Sequence, residues 1–225
     1  MASDRAAPAA GAHLRASYPC VGIDLAQARA CEQAVFGRRF GNSAEEMAHE
    51  YGPFEDSTTF GAVFATNGTA VAAVRLIRPG PVRVKTLQDA AKPPWSLAEQ
   101  QLTDAVGLDE THTWDVASFT VDVVAAGADR RIAPALLRVL FAALRANSAT
   151  SFVAVLDSTA RRALSGLGVT MLELGGAKPA PYLGSASSVP VYRHLADLRG
   201  EHAEHFPQTD EQVPTAEVSA VPSRC

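Results

Sequence analysis

The stretch TTFGAVFATNGTAVAAVRLI (58–77) is the clearest structural signal in the chain. Two apolar runs flank Asn67-Gly68, a pair favoured in tight hairpin turns because both central residues take positive φ. An antiparallel hairpin is therefore expected here. Upstream, DLAQARACEQAVFGRRF (24–40) sets Ala28, Cys31, Val35 and Phe36 at helical spacing. SAEE follows as a capping box, so a second helix is expected to start at Ser43 with Glu46 at its third position. Downstream, THTWDVASFTVDVV (111–124) has the β-branched and aromatic character of a strand.

A helix is expected over 134–147, with Pro134 in its first turn and Leu136, Leu140 and Leu144 on one face. SFVAVLD (151–157) reads as a strand, followed by a helix over 158–166 that stops at Gly168. TMLEL (170–174) and VPVYRHL (189–195) read as closing strands. The expected fold class is α/β (α+β), a mixed and mostly antiparallel central sheet with helices on both faces. The domain is expected over 17–199. Residues 1–16 are Ala-rich without periodicity, and 200–225 are polar and Pro-containing, so both ends are expected to be flexible or disordered.

At 225 residues the chain supports one sizeable core. A net charge of -4 argues against nucleic-acid binding, which needs a basic surplus to displace counterions. Cys20, Cys31 and Cys225 form neither a disulfide framework nor a zinc pattern, and no metal site is expected. No apolar run reaches the roughly 18–20 residues of a membrane span, and the first residues lack a signal-peptide core. A cytoplasmic location is expected. No nucleophile elbow and no dinucleotide loop in its strand-loop-helix setting is present.

The segment STARRALSGLGV (158–169), following a strand, resembles the helix ending in Leu-Gly-aromatic of the GNAT superfamily of acyltransferases, with Val169 in the aromatic slot. HEYGPFEDSTTFGAVFA, VAAVRLIRPGP, KTLQDA and TWDVASFTV together are similar to one branch of it. That branch contains acyl-homoserine-lactone synthases and long-chain N-acyl amino acid synthases. Its pattern W-E-V-S-R-L-A-V places Asp115 at the acidic position, while Ala117 and Ser118 replace the usual Ser-Arg pair. The resemblance covers roughly residues 20–195 and implies the GNAT fold.

It also implies a donor site at GADRRIAPALL (127–137). Acetyl-CoA enzymes of the superfamily carry a glycine-rich loop there, whose backbone N–H groups close on a pyrophosphate at a helix N-terminus. Here Arg130 and Arg131 stand in the loop, Arg131 on the first glycine and Ala133 on the second. An acyl carrier protein offers a phosphopantetheine arm from an acidic surface, which an arginine suits. Arg131, Arg138 and Arg145, spaced by seven, fall near one helical face, with Arg161 and Arg162 nearby. They read equally as a carrier-protein dock or as a solvated face.

Amide formation from a thioester needs a base, oxyanion donors and a path for the thiol. Asp115 is the expected base, and a strand-end anchor is its structural alternative. The resemblance puts oxyanion donors among the backbone N–H groups of Val121, Asp122 and Val123. Leu164 stands where many acetyl-CoA enzymes carry a tyrosine acid, and Tyr182 is a substitute candidate. Trp114 is expected to fill core, with walling an acyl pocket as its alternative. Glu50, Glu55 and Asp56 are candidates to face the amine, and Arg75 to hold a substrate carboxylate or tie the acidic loop. Ser185 and Ser187 read as turn residues or as part of the site mouth.

The expected function is N-acyl transfer, by direct attack, from a pantetheine thioester to the amine of an amino acid or related metabolite. The acyl group is expected to be fatty and its donor acyl carrier protein. Acyl-ACP or acyl-CoA is a co-substrate, and no permanently bound cofactor is expected. The alternatives are a short acyl-CoA enzyme acting on a small molecule or protein amine, and a non-catalytic acyl-thioester binding module.

Overall fold

The computed structural model describes residues 14–127 and 129–201. Strand β1 (Arg15–Ser17) leads into α1 (Gly22–Phe40), α2 (Ala44–Tyr51) and a 3₁₀ turn (Gly52–Ser57). The hairpin is β2 (Thr58–Phe64) and β3 (Ala70–Ile77). Then come α3 (Lys85–Ala90), α4 (Glu99–Leu102), β4 (Thr113–Val121), α5 (Val123–Ala126) and α6 (Ile132–Ala146). The chain continues through β5 (Ser151–Asp157), α7 (Ser158–Gly166), β6 (Leu172–Glu173), β7 (Ala180–Tyr182), β8 (Ser185–His194) and α8 (Leu195–Glu201). None of the described helices is long and apolar enough to cross a membrane.

The strands form one sheet in the order β1-β2-β3-β4-β5-β8-β6, with β7 paired to β8. Every pairing is antiparallel except β4–β5. Strand alternation assigns the two faces. Val63, Val74, Leu76, Val116 and Phe152 join Leu136, Leu140 and Leu144 of α6 in the main core, where Trp114 is also buried. Each leucine buried this way contributes ~1.5–3 kcal/mol. Phe60, Ala62, Phe64 and Ala73 face the other way and pack with Ala28 and Cys31 of α1. The Ser43–Glu46 capping box is present, both of its hydrogen bonds formed.

Four details differ from the sequence reading. The Gly68 N–H bonds the Ala65 carbonyl, so the β2–β3 turn centres on Thr66 and Asn67, and in it only Gly68 (φ 81°) has positive φ. A three-residue loop of this kind replaces the two-residue turn. The two-residue turn with both φ positive lies instead at Leu183-Gly184 (44° and 79°), joining β7 to β8. Leu14 to Ala16 belong to the fold, because Arg15 and Ala16 pair with Phe64 and Val63. The strand expected over 170–174 is only Leu172–Glu173, as a 3₁₀ turn takes over at Leu174. The rest of 1–16 and of 200–225, with Ala128, lies outside the described residues.

Candidate active site

β4 and β5 are hydrogen-bonded only over Thr113–Asp115 and Ser151–Val153, so the sheet opens from Val116 onward. β4 also carries a bulge. Leu76 pairs with Val116 and Arg75 with Ser118, which leaves Ala117 unmatched. One extra residue shifts the alternation. Val116 and Phe119 therefore face α6, while Asp115, Ser118 and Thr120 face α1 and α3. N–H groups along a strand alternate sides. The Asp122 N–H is taken up by the Val71 carbonyl (2.9 Å), so those of Phe119 and Val121 face the opened side.

On the α6 side the opening continues into a slot lined by Phe119, Leu137, Ala154, Leu156, Leu164 and Met171, with no polar lining atom. It is nearly closed, with about 10 Å³ of free volume.

The other side is polar, although it is buried. Arg75 gives its Nε and Nη2 to both oxygens of Glu32 (2.6–3.2 Å), and the Ser118 hydroxyl donates to Glu32 at 2.5 Å. Burial alone would weaken the guanidinium's hold on its proton, but Glu32 outweighs it and leaves Arg75 above its ordinary value. Arg75 lies over the rings of Tyr51 (4.2 Å) and Phe60 (4.6 Å). Its Nη1 is buried without a hydrogen-bond partner, 3.9 Å from Glu55. Tyr51 then crosses to β4, its hydroxyl donating to the Ala117 carbonyl at the bulge (3.2 Å).

Beyond Tyr51 lies a second cluster, centred on Lys85. Its ammonium pairs with Glu50 and Asp89 and donates to the Tyr182 hydroxyl (2.5 Å), which in turn donates to Asp89 (2.6 Å). Burial and the Asp89 carboxylate push the Tyr182 phenol far above its usual range, so it stays protonated. Behind this cluster sits Asp115, fully buried, its oxygens taking the Thr86 backbone N–H (2.5 Å) and hydroxyl (2.9 Å). Desolvation raises its pKa to about 6 against the hydrogen bonds from Thr86 and the pull of Lys85.

The expected donor end is the stretch where β4 runs through α5 into α6. Asp122 caps α5 through the N–H groups of Val124 and Ala125 and pairs with Arg38 (2.6 Å). Burial opposes its charge, yet these partners prevail and hold it below the usual carboxylate range. Arg39 pairs with Asp157 (3.1 Å), the cap of α7. Adjacent arginines at the end of α1 thus tie down the far ends of both parted strands. Arg131, beside an exposed Arg130 and a half-buried Ala133, folds back onto Asp129 (2.7 Å). That pairing lowers Asp129 to about 2.

Of the expected residues, the structure brings Glu50 and Tyr182 together and sets Arg75 across Tyr51 from them. Asp115 is adjacent but enclosed. Asp56 is exposed on the 3₁₀ turn, where its carbonyl accepts from Arg78 (2.9 Å). Asp122 corrects the oxyanion expectation. The Asp122 N–H is occupied, and Val123 lies beyond the strand as an exposed residue of α5. Ser185 and Ser187 open β8 rather than lying in the turn, and the Ser187 N–H donates to the Ser185 hydroxyl. Glu32, Tyr51, Lys85, Thr86 and Asp89 were not singled out from the sequence. A carboxylate at Glu32 beside the apolar Ala28 and Cys31, and a charge at Arg75 within an apolar run, are the signals that point to the buried pair.

No family model and no curated protein sequence matches the chain. Among solved structures it is similar to FeeM, an N-acyl amino acid synthase from uncultured soil microbes (TM-score 0.63, 15% identity, 85% of this chain and 95% of that one). It is also similar to the AHL synthase LasI (0.58, 14%, 86% and 96%). A protein from Lactobacillus plantarum assigned as an N-acetyltransferase aligns as well (0.53, 16%, 81% and 98%). The chain has the fold these proteins share, the GNAT fold that the order of its segments implied.

Proposed function

We propose that the protein is an N-acyltransferase that moves an acyl group from a pantetheine thioester to the amine of an amino acid or related metabolite. The observation that carries this is the opening between β4 and β5, apolar on one side and densely polar on the other. The arm of acyl-ACP or acyl-CoA enters at the end of β4, near Arg130, Arg131 and Ala133. Its acyl chain turns into the slot against Leu164, and its carbonyl meets the N–H groups of Phe119 and Val121. The acceptor comes from the α1 and α3 side.

Glu50 and Asp89 are bound to the Lys85 ammonium, which suits them to holding the acceptor amine rather than taking its proton. Asp115 is the base. A pKa of about 6 fits that task, and the proton reaches it through the Thr86 hydroxyl. Tyr182, which burial and Asp89 keep protonated, orients Asp89 rather than giving its proton to the leaving thiolate. Burial pushes Cys20 and Cys31 up to about 11 and about 12, which supports direct attack over an acyl-cysteine.

A transfer assay tests the proposal. A ladder of acyl chains, each on carrier protein and on CoA, is offered with the common amino acids and read by intact mass. Long-chain amide made from acyl carrier protein is the expected outcome. The closed slot favours a second reading, a short acyl group from CoA, which product from short acyl-CoA alone would establish. Thioester binding without any amide would overturn both.

A further inference from the structure

Arg75 is a guanidinium with half of its capacity engaged. Its Nε and Nη2 edge is held by Glu32 in a two-point bond, and aromatic rings lie against its planar face. That leaves Nη1, buried and without a hydrogen-bond partner. A buried donor left unmade costs roughly 1–3 kcal/mol, so the fold retains it against a penalty. The group in front of it is Glu55, whose carboxylate stands 3.9 Å away, outside hydrogen-bonding reach. Glu55 is half-exposed and bonds at its other oxygen to Arg29, itself half-exposed. Arg75 pairs with Ser118 across the sheet, one residue from the bulge and on the stretch of β4 that has parted from β5.

We infer that Arg75 Nη1 receives the carboxylate of the acceptor, and that Glu55 is the internal carboxylate that keeps its place until then. The inference rests on the amine-acceptor reading above and narrows it to acceptors that bear a free carboxylate. When the acceptor enters, Glu55 swings fully onto Arg29, and a carboxylate at hydrogen-bonding distance replaces one held just beyond it. The acceptor's ammonium then falls on the other side of Tyr51, toward Glu50 and Asp89. A zwitterion matches this polarity end for end, whereas an amino ester leaves Nη1 unpaired. Glu55 and Arg29 thereby set the specificity without touching the reacting atoms.

The two substitutions have opposite effects. Glu55→Gln removes the competitor and tightens binding of the free amino acid about two- to five-fold, the worth of a half-exposed ion pair. Arg29→Gln removes the resting place of Glu55, lets it close on Arg75, and weakens binding by a similar factor. Both side chains are on the surface, so neither change threatens the fold.

The test is calorimetric binding of each common amino acid and its methyl ester to the whole protein, run beside the transfer assay. Acid-selective binding, with opposite shifts in the two variants and neither shift for esters, is the expected result. Equal binding of acid and ester, or variants that shift together, would overturn the carboxylate site even if transfer occurs. Acid-selective binding with opposed shifts but no amide from any donor would leave the site standing and remove the transferase reading.

Discussion

At the level of single residues, the proposed chemistry turns on a carboxylate that solvent cannot reach. Asp115 has a raised pKa because burial penalises its charge, so the ionised base is lost as the pH falls through about 6. The turnover number should therefore drop below that point in the wild type. Thr86→Val keeps the backbone N–H that Asp115 accepts and removes only the hydroxyl, so it should fold normally and still bind both substrates. Its turnover, and that of Asp115→Asn, should be about 10²–10⁴-fold lower, and the acid limb should vanish in Asp115→Asn. Single-turnover rates from pH 5 to 9 check this. An unchanged limb in Asp115→Asn would assign the base to another group. The sequence pointed to Asp115 through its place in a pattern, but not to Thr86, which lies in a short segment with no chemical signature. Lys85 and Asp89 were equally hidden, since an i,i+4 charge pair on a six-residue helix reads as ordinary solvated surface.

At the level of elements, close packing decides what tolerates change. α6 crosses β2 at Gly61, where an added Cβ would lie 2.5 Å from Val139 Cγ1 and 3.2 Å from Val74 Cγ1. Gly61→Ala should destabilise the protein by about 1–3 kcal/mol, measured by denaturant unfolding, because the crossing has no room to relax without moving α6. The long elements were legible in the sequence. The three leucines of α6, the capping box at Ser43 and the alternation of Phe60, Ala62 and Phe64 all declare themselves. Turn chemistry was less so. Asn67-Gly68 carries the stronger signal for two positive φ angles, yet Leu183-Gly184 adopts them, because β7 must return directly alongside β8. Leucine is a poor residue for that conformation, and tertiary pairing overrides its preference. β1 escaped notice for a similar reason: three residues on a sheet edge are too few to show a period.

At the level of the whole molecule, the two halves of the sheet meet only along three residues of β4 and β5, and α1 spans the gap that follows. Arg38 and Arg39 sit in its last turn, where the helix dipole favours positive charge, and tie Asp122 to Asp157 through one helix end. Replacing both by glutamine should lower the melting temperature by about 2–6 °C, since each half-exposed pair contributes at most ~1 kcal/mol. Amide exchange should quicken at residues 119–122 and 155–158 and nowhere else. Uniform exchange would mean that α1 does not brace the opening. The bulge at Ala117 has a different kind of importance. A strand stores one bit per residue, inward or outward, and the extra residue inverts every bit after it. Ironing out the bulge with Ala117 kept in register would act as a conformational frameshift, turning Ser118 and Thr120 toward the leucines of α6 and Phe119 toward the Glu32–Arg75 pair. Deleting Ala117, by contrast, would leave Ser118 opposite Arg75 on a regular strand. The surplus residue has almost no side chain, and looping it out is what keeps oil and charge on opposite sides.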